Sequence, residues 1–250
     1  MIEVIVHGPV HEVRMARAPA NALDTELLTR LHEALVAAPG AGAQAIVLSS
    51  AFPNFFSGGM DVPHLMAVDF AAMTHAWQQF FAVARALAGS PVPVVAAIPG
   101  HAPAGGCVLA LCCDYRVMGR GNGRIGLNET QVGLAVPEAI QHLMRRVVGP
   151  YRAERLIVAG AMLDAESANR LGLVDELVEP DQVAIRACAW LEALLALPRA
   201  PMLATRKLAR QDLVAALAAF GDAELDAFLA QWNAPDTQAA LQALVARLRK

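Results

Sequence analysis

Up to Val178 this chain alternates short apolar runs with longer amphipathic ones, and after Pro180 every segment has a helical period. That alternation constrains the fold more than any other feature. Strands interleaved with helices imply an α/β core, and a closing run of helices alone implies an appendage on that core. Glu3 to Val6 and Val10 to Met15 read as strands around a Gly8-Pro9 turn, and Ala45 to Ser49, Val92 to Ile98, Tyr115 to Met118, Arg124 to Gly126 and Leu173 to Val178 read as further strands. Leu27, Leu28, Leu31, Leu35 and Val36 recur at helical spacing, so Asp24 to Ala37 reads as a helix that Asp24 can cap.

Further helices are expected over Phe70 to Ala88, Ala104 to Cys112, Pro137 to Val148 and Tyr151 to Ala159, with Gly149-Pro150 breaking the last two apart. The closing helices read as Asp181 to Leu197, Met202 to Ala218, Ala223 to Gln231 and Thr237 to Leu248. Several strands are separated by only a short turn plus one helical turn. That fits a repeated ββα unit coiled on itself better than a doubly wound dinucleotide fold, and neither a Gly-x-Gly-x-x-Gly fingerprint nor a Walker A loop is present. Residues 1–195 are expected to form the α/β core and 196–250 a helical region.

With 56% hydrophobic and 17% charged residues, the chain can bury a large core and is not of disordered type. A net charge of −3 gives no reason to expect a nucleic acid or an anionic membrane as partner. No apolar run approaches the roughly 20 residues that span a bilayer, and no basic stretch followed by an apolar one opens the chain. Cys107, Cys112, Cys113 and Cys188 match no zinc spacing, so buried thiols in a reducing compartment, no metal and a cytoplasmic location are expected.

Two glycine-rich turns carry the chemistry: Phe56-Ser57-Gly58-Gly59-Met60-Asp61 and Pro103-Ala104-Gly105-Gly106-Cys107. Glycines allow close backbone approach, and free N–H groups at such a turn attract negative charge. Each turn alone reads equally as a tight connection, with Asp61 merely capping a short helix from Asp61 to Met66. Glu129 follows them in Gly126-Leu127-Asn128-Glu129-Thr130-Gln131. Two backbone N–H groups can form an oxyanion hole, and one carboxylate beside it can move protons.

On these blocks, together with Asn21-Ala22-Leu23-Asp24, Ala97-Ile98-Pro99-Gly100, Cys113-Asp114-Tyr115-Arg116, Ala165-Glu166-Ser167-Ala168 and Leu171-Gly172-Leu173-Val174-Asp175, the sequence resembles the enoyl-CoA hydratase/isomerase (crotonase) superfamily over nearly its whole length. The Gly-Gly-Cys turn and the Asn-Glu segment look most like the mitochondrial-type Δ3,Δ2-enoyl-CoA isomerases. The hydratase pattern places a glutamate directly after Gly-Gly-Cys, where this chain has Val108.

The resemblance implies a crotonase-like spiral of ββα units with a helical C-terminal region, assembled as a homotrimer or a hexamer of paired trimers. It implies an acyl-CoA thioester as substrate, with coenzyme A as part of that substrate and no separate cofactor. It makes Glu129 the base and the N–H groups of Met60 and Gly105 the oxyanion hole. Around the substrate it places Ala22, Gly58, Asp61 and Leu65, then Gly106, Asn128, Leu134 and Lys207. Asn128 also has an ordinary turn-forming reading. Lys207 shares its helix with Arg206 and Arg210, which read either as a phosphate-binding segment or as a solvated face; Arg17 is a second candidate for the phosphates.

Trp77, Phe80 and Phe81, with Leu65, Met66 and Leu134, are expected either to wall an acyl pocket or to be core, and Phe228 and Trp232 to cover it. Glu138 and His64 are weaker candidates. Three readings compete: isomerisation of a 3-enoyl-CoA, another crotonase-type reaction such as weak hydration or hydrolysis with Glu138 or another residue as the extra group, and an acyl-CoA-binding or structural subunit with little turnover. A carboxylate facing an oxyanion hole has no use in the third.

Overall fold

The computed structural model describes residues 1–248, so the last two positions of the helical region 196–250 lie outside the described residues. The chain opens with β1 (Ile2–His7), β2 (Val10–Met15), α1 (Thr25–Ala37), β3 (Ala45–Ser50), α2 (Val62–Leu65) and α3 (Phe70–Ala88). Next come β4 (Val94–Ile98), β5 (Ala102–Pro103), α4 (Gly105–Leu111), β6 (Tyr115–Gly119) and β7 (Arg124–Gly126). After these lie α5 (Glu138–Val148), α6 (Pro150–Val158), β8 (Leu163–Asp164), α7 (Ala165–Leu171) and β9 (Glu176–Val178). The helical end holds α8 (Val183–Leu195), α9 (Arg199–Ala209), α10 (Gln211–Ala218), α11 (Asp222–Trp232) and α12 (Pro235–Leu248).

A large sheet runs β1-β2-β3-β4-β6-β9 and a small one β5-β7-β8. Every pairing in the large sheet is parallel except β1 with β2. After β4 the chain steps into the small sheet through β5 and returns through α4 to β6; it then repeats the step with β7, α5 and α6. From β4 onward each turn of this spiral leaves one strand in each sheet and helices outside, which is the expected ββα coil, whereas β1 to β3 add to the large sheet alone. The period of two along the strands divides the core. Val13, Met15, Ile46, Leu48, Val94, Ala96 and Ile98 belong to one core with the buried residues of α1, α3 and α4, whereas Ala45, Val47, Val95, Ala97 and Val117 pack in a second with Val183, Ala187 and Leu191 of α8.

Asp24 caps α1 by accepting from the Leu27 N–H at 2.8 Å, and Asp61 caps α2 in the same way, as expected. Three expectations shift. The fourth strand begins at Val94 rather than Val92, because Pro91 and Pro93 have no N–H to give a ladder. The late strand keeps only Glu176–Val178. The single helix expected over Met202 to Ala218 is two, broken at Arg210 (φ −107°, ψ 6°).

The break has a cause. Arg210 is buried and donates to Asp114 Oδ1 at 3.0 Å and to the Ala88 carbonyl at 3.2 Å. Arg206 reaches both oxygens of Asp114 at 2.8 Å, and Asp114 also takes the Val94 N–H at 2.7 Å. One carboxylate thus holds the helical end against β4. Removing one partner of a buried ion pair typically costs about 3–5 kcal/mol, because the charges left behind are unpaired. Asp114→Ala is expected to lose that much stability in urea unfolding. A loss under about 1 kcal/mol would mean that the apolar contacts alone seat α9 and α10.

Candidate active site

The first glycine turn is fixed from beneath by Asn21, fully buried in a left-handed conformation (φ 49°) that asparagine tolerates. Its side chain accepts from the Arg17 N–H at 2.8 Å and donates to Ser50 Oγ at 2.8 Å and to the Phe56 carbonyl at 3.0 Å. Ser57 Oγ donates to the Asn21 carbonyl at 2.8 Å and accepts from the Gly59 N–H at 3.1 Å. Gly59 has φ 81°, which glycine adopts without strain. Leu23 then bridges the turn, donating to Gly59 O at 2.8 Å and accepting from the Asp61 N–H at 3.1 Å. In such a parallel bridge the residue between turns its own N–H to the opposite side. The Met60 N–H has no protein acceptor among the described residues.

The second turn meets the first there. Gly105 is the first residue of α4, where no side chain caps the helix and its N–H is unpaired. Ala104 before it has φ 45° and ψ −114°, a strained conformation for a residue with a Cβ. A Cβ on Gly105 would lie 3.5 Å from Met60 N, and one on Gly59 would lie 3.6 Å from Gly105 N. The two free N–H groups therefore stand side by side. Gly106 is buried under the first turn, where a Cβ would come 2.9 Å from the Ser57 carbonyl oxygen.

Glu129 begins a 3-10 turn over Glu129–Val132. Leu134 N–H donates back to the Glu129 carbonyl at 3.1 Å, Gln131 ties the turn to Gly160 at 2.8 Å, and Thr237 of α12 donates to the Gly133 carbonyl at 2.8 Å. Glu129 is half-buried as a residue, but its Oε2 is buried with no hydrogen-bond partner. That burial pushes the carboxyl from 4.5 up to about 7. Asn128 Oδ1 is likewise buried and unpaired, and Asn128 makes no side-chain cap bond, so its side chain does not serve as a turn former.

A cavity of about 240 Å³ joins these pieces: Gly58, Met60, Gly105, Asn128, Glu129 and Leu134 all line it. Its walls are Trp77, Phe80 and Phe81 of α3 with Phe228 and Trp232 of α11, as the acyl-pocket reading expects. Pro103 of the second turn and Val132, an apolar neighbour of Glu129, also line it, as do Val62, Ile140 and Leu244, which were not anticipated. Ile140 lies on the apolar face of an amphipathic helix, and nothing in sequence separates such a wall from core.

Other candidates stand elsewhere. Leu65 is core, 1% exposed, and Met66 packs beside it. The Ala22 carbonyl accepts from Arg17 at 3.1 Å, and the Arg17 guanidinium pairs with Asp24 at 2.8 Å and Asp61 at 3.0 Å. Asp61 and Arg17 thus brace the loop, with their charges already matched. Lys207 is exposed on α9 beside a separate surface depression with Ala88 and Val214, away from Glu129. Arg206 and Arg210 belong to the Asp114 cluster rather than to a solvated or phosphate-binding face. Glu138 is exposed and paired with Arg145, and His64 is exposed.

Comparison with known proteins follows the same lines. The family model described as enoyl-CoA hydratase/isomerase matches residues 6–249. Human mitochondrial enoyl-CoA delta isomerase 1 is 29% identical over 253 residues, which cover 100% of this chain and 83% of that protein. A probable enoyl-CoA hydratase of Mycobacterium avium is 34% identical over 195 residues, 77% of this chain and 74% of that protein. The crystal structure of human mitochondrial Δ3-Δ2-enoyl-CoA isomerase superposes with a TM-score of 0.94 at 28% identity, covering 99% of this chain and 98% of that one. The chain belongs to the enoyl-CoA hydratase/isomerase family.

Proposed function

We propose that this member of the family shifts the double bond of a 3-enoyl-CoA thioester into conjugation, giving the 2-enoyl-CoA. Membership supports a crotonase-type reaction on an acyl-CoA. The choice of isomerisation rests on one observation: among the described residues, Glu129 is the single acid on a cavity whose wall also carries two free N–H groups. Hydration in this family takes a second carboxylate. The place for it holds Val108, which is fully buried and apolar, and Glu138 points away to Arg145.

The thioester oxygen lies between the N–H groups of Met60 and Gly105. Glu129 takes a proton from C2, and the electron pair left behind delocalises onto that oxygen as a dienolate. The two donors stabilise the charge in a site shielded from water. Glu129 then returns the proton to C4. One base serves both carbons, so atoms balance with no co-reactant. A group with a pKa of about 7 is half ionised at neutral pH, near the best compromise between base strength and availability. The cavity is smaller than the ~300–1,000 Å³ of sites that enclose a drug-sized ligand, so it takes the acyl part and leaves the nucleotide outside. Exposed Leu197, Leu208 and Val214 on the helical end suit packing between copies, in line with the proposed trimer or hexamer.

Incubation with 3-hexenoyl-CoA is expected to give the conjugated 2-enoyl product, and 2-hexenoyl-CoA to hydrate far more slowly. The base must be ionised, so kcat/KM should rise with pH through about 7 to a plateau. Faster hydration than isomerisation would overturn this choice, and a flat profile from pH 5.5 to 8.5 would remove Glu129 as base.

A further inference from the structure

No polar neighbour aims the Glu129 carboxylate. Its Oε2 is buried and unpaired, and no other side chain among the described residues hydrogen-bonds the group. A catalytic group has to be held within about 0.5 Å of its productive place. Apart from the apolar walls, only the backbone that carries Glu129 fixes where its carboxylate stands. The hold on that backbone therefore decides how well the base is placed.

Two distant segments grip the turn. On the core side, Gln131 donates to the Gly160 carbonyl at 2.8 Å, and a Cβ on Gly160 (φ 57°) would lie 2.6 Å from Thr130 Oγ1. On the other side stands Thr237, in the first turn of α12. Thr237 is 4% exposed, and its hydroxyl donates to the Gly133 carbonyl at 2.8 Å. Gly133 has φ 78°, and a Cβ there would lie 3.1 Å from Thr237 Cα, so backbone meets backbone at this point. The same helix packs against α2, which follows the Met60 donor, and its Leu244 lines the cavity. One helix thus touches both the segment carrying the base and the segment leading from a donor.

We propose that Thr237 is a positioning residue for the reaction: its bond to Gly133 ties the Glu129 turn to α12, and α12 thereby sets where the base stands relative to the N–H groups of Met60 and Gly105. The proposal rests on the isomerase reading above and adds a residue to it. Thr237 is not among the residues lining the cavity, so its effect reaches the substrate through Glu129. The acyl walls and the two donors stay in place without it, whereas a base displaced by 1 Å can cost ~10²-fold in rate.

Two pairs of proteins isolate the hydroxyl. Thr237→Val keeps the shape of the wild-type side chain and deletes the donor; Thr237→Ser and Thr237→Ala differ by the same group with the methyl gone. Turnover of 3-hexenoyl-CoA and affinity for hexanoyl-CoA are measured on each, with urea unfolding to show that each is native. Thr237→Val is expected to have a kcat ~10–100-fold below the wild type, and Thr237→Ala a kcat below Thr237→Ser by a similar factor, with affinity for hexanoyl-CoA within about threefold throughout. Should valine prevent folding, the serine and alanine variants carry the comparison, since alanine is the best helix former. A kcat within about threefold of its hydroxyl-bearing counterpart in the folded donor-free variants overturns the inference and leaves the isomerase reading standing. So does a fall of kcat and affinity together, which would mean a damaged pocket rather than a misplaced base. No turnover by the wild type would instead sink the isomerase reading, and this inference with it.

Discussion

Glu129→Gln is expected to slow conversion of 3-hexenoyl-CoA by ~10²–10⁴-fold while changing the affinity for hexanoyl-CoA only a few-fold, since a positioned general base typically contributes that much to rate. Glutamine fills the same volume and keeps the 3-10 turn, whose bonds are made by the backbone, Gln131 and Thr237. The variant should also behave differently in unfolding, and the sign can be worked out. Burial raises the folded-state pKa of Glu129 from 4.5 to about 7. Between those values the native protein keeps a proton that the unfolded chain gives up, so native stability falls as pH rises from 4.5 to 7 and stays lower above it. At 1.36 kcal/mol per pKa unit the penalty is at most about 3 kcal/mol. Glutamine carries no such charge. Glu129→Gln should therefore be more stable than the wild type in urea at pH 8, with the advantage gone at pH 4.5. Lost activity with gained stability separates removal of a base from damage to the fold. Full activity in the variant would take Glu129 out of the mechanism.

Much of this site is legible from the chain because its parts are local. The turns at Ser57-Gly58-Gly59 and Ala104-Gly105-Gly106 announce themselves by composition, and the structure sets Met60 N and Gly105 N side by side through those glycines. Caps at Asp24 and Asp61 follow from one side chain and one N–H three residues on. What the sequence did not disclose is long-range. Arg17, Arg206 and Arg210 have the same composition whether they wait for a phosphate or are already spent on Asp24, Asp61 and Asp114, and only three-dimensional pairing decides. The helix α7 went unassigned because only Ala165 and Ala168 of its seven residues are buried, too few apolar positions to mark a period. Asn128 reads naturally as a turn former; its lack of a cap bond depends on Gln131 and Thr237 arriving from distant segments.

Gly106→Ala is expected to lower kcat by ~10²–10³-fold, the usual effect of losing one oxyanion donor, although Gly106 itself donates nothing to the proposed oxyanion. The reason is steric. An added Cβ would sit 2.9 Å from the Ser57 carbonyl oxygen and 3.2 Å from Ser57 Cβ, so main chain rather than a flexible tip has to move. Ser57 cannot shift alone. Its hydroxyl is tied to the Asn21 carbonyl and to the Gly59 N–H, and Gly59 leads directly into Met60. Displacing Ser57 therefore drags the Met60 N–H relative to Gly105, and an oxygen held by one donor can no longer be held by both. Because the proposed mechanism has the two donors act most on the charged dienolate, kcat should fall much more than affinity for hexanoyl-CoA. Gly40→Ala, remote from the cavity and with only an ordinary 3.5 Å contact at the new Cβ, controls for the general cost of replacing a glycine. If Gly106→Ala folds and turns over at the rate of that control, the two turns are not rigidly coupled, and the stabilisation of the dienolate has to come from somewhere other than the paired backbone amides.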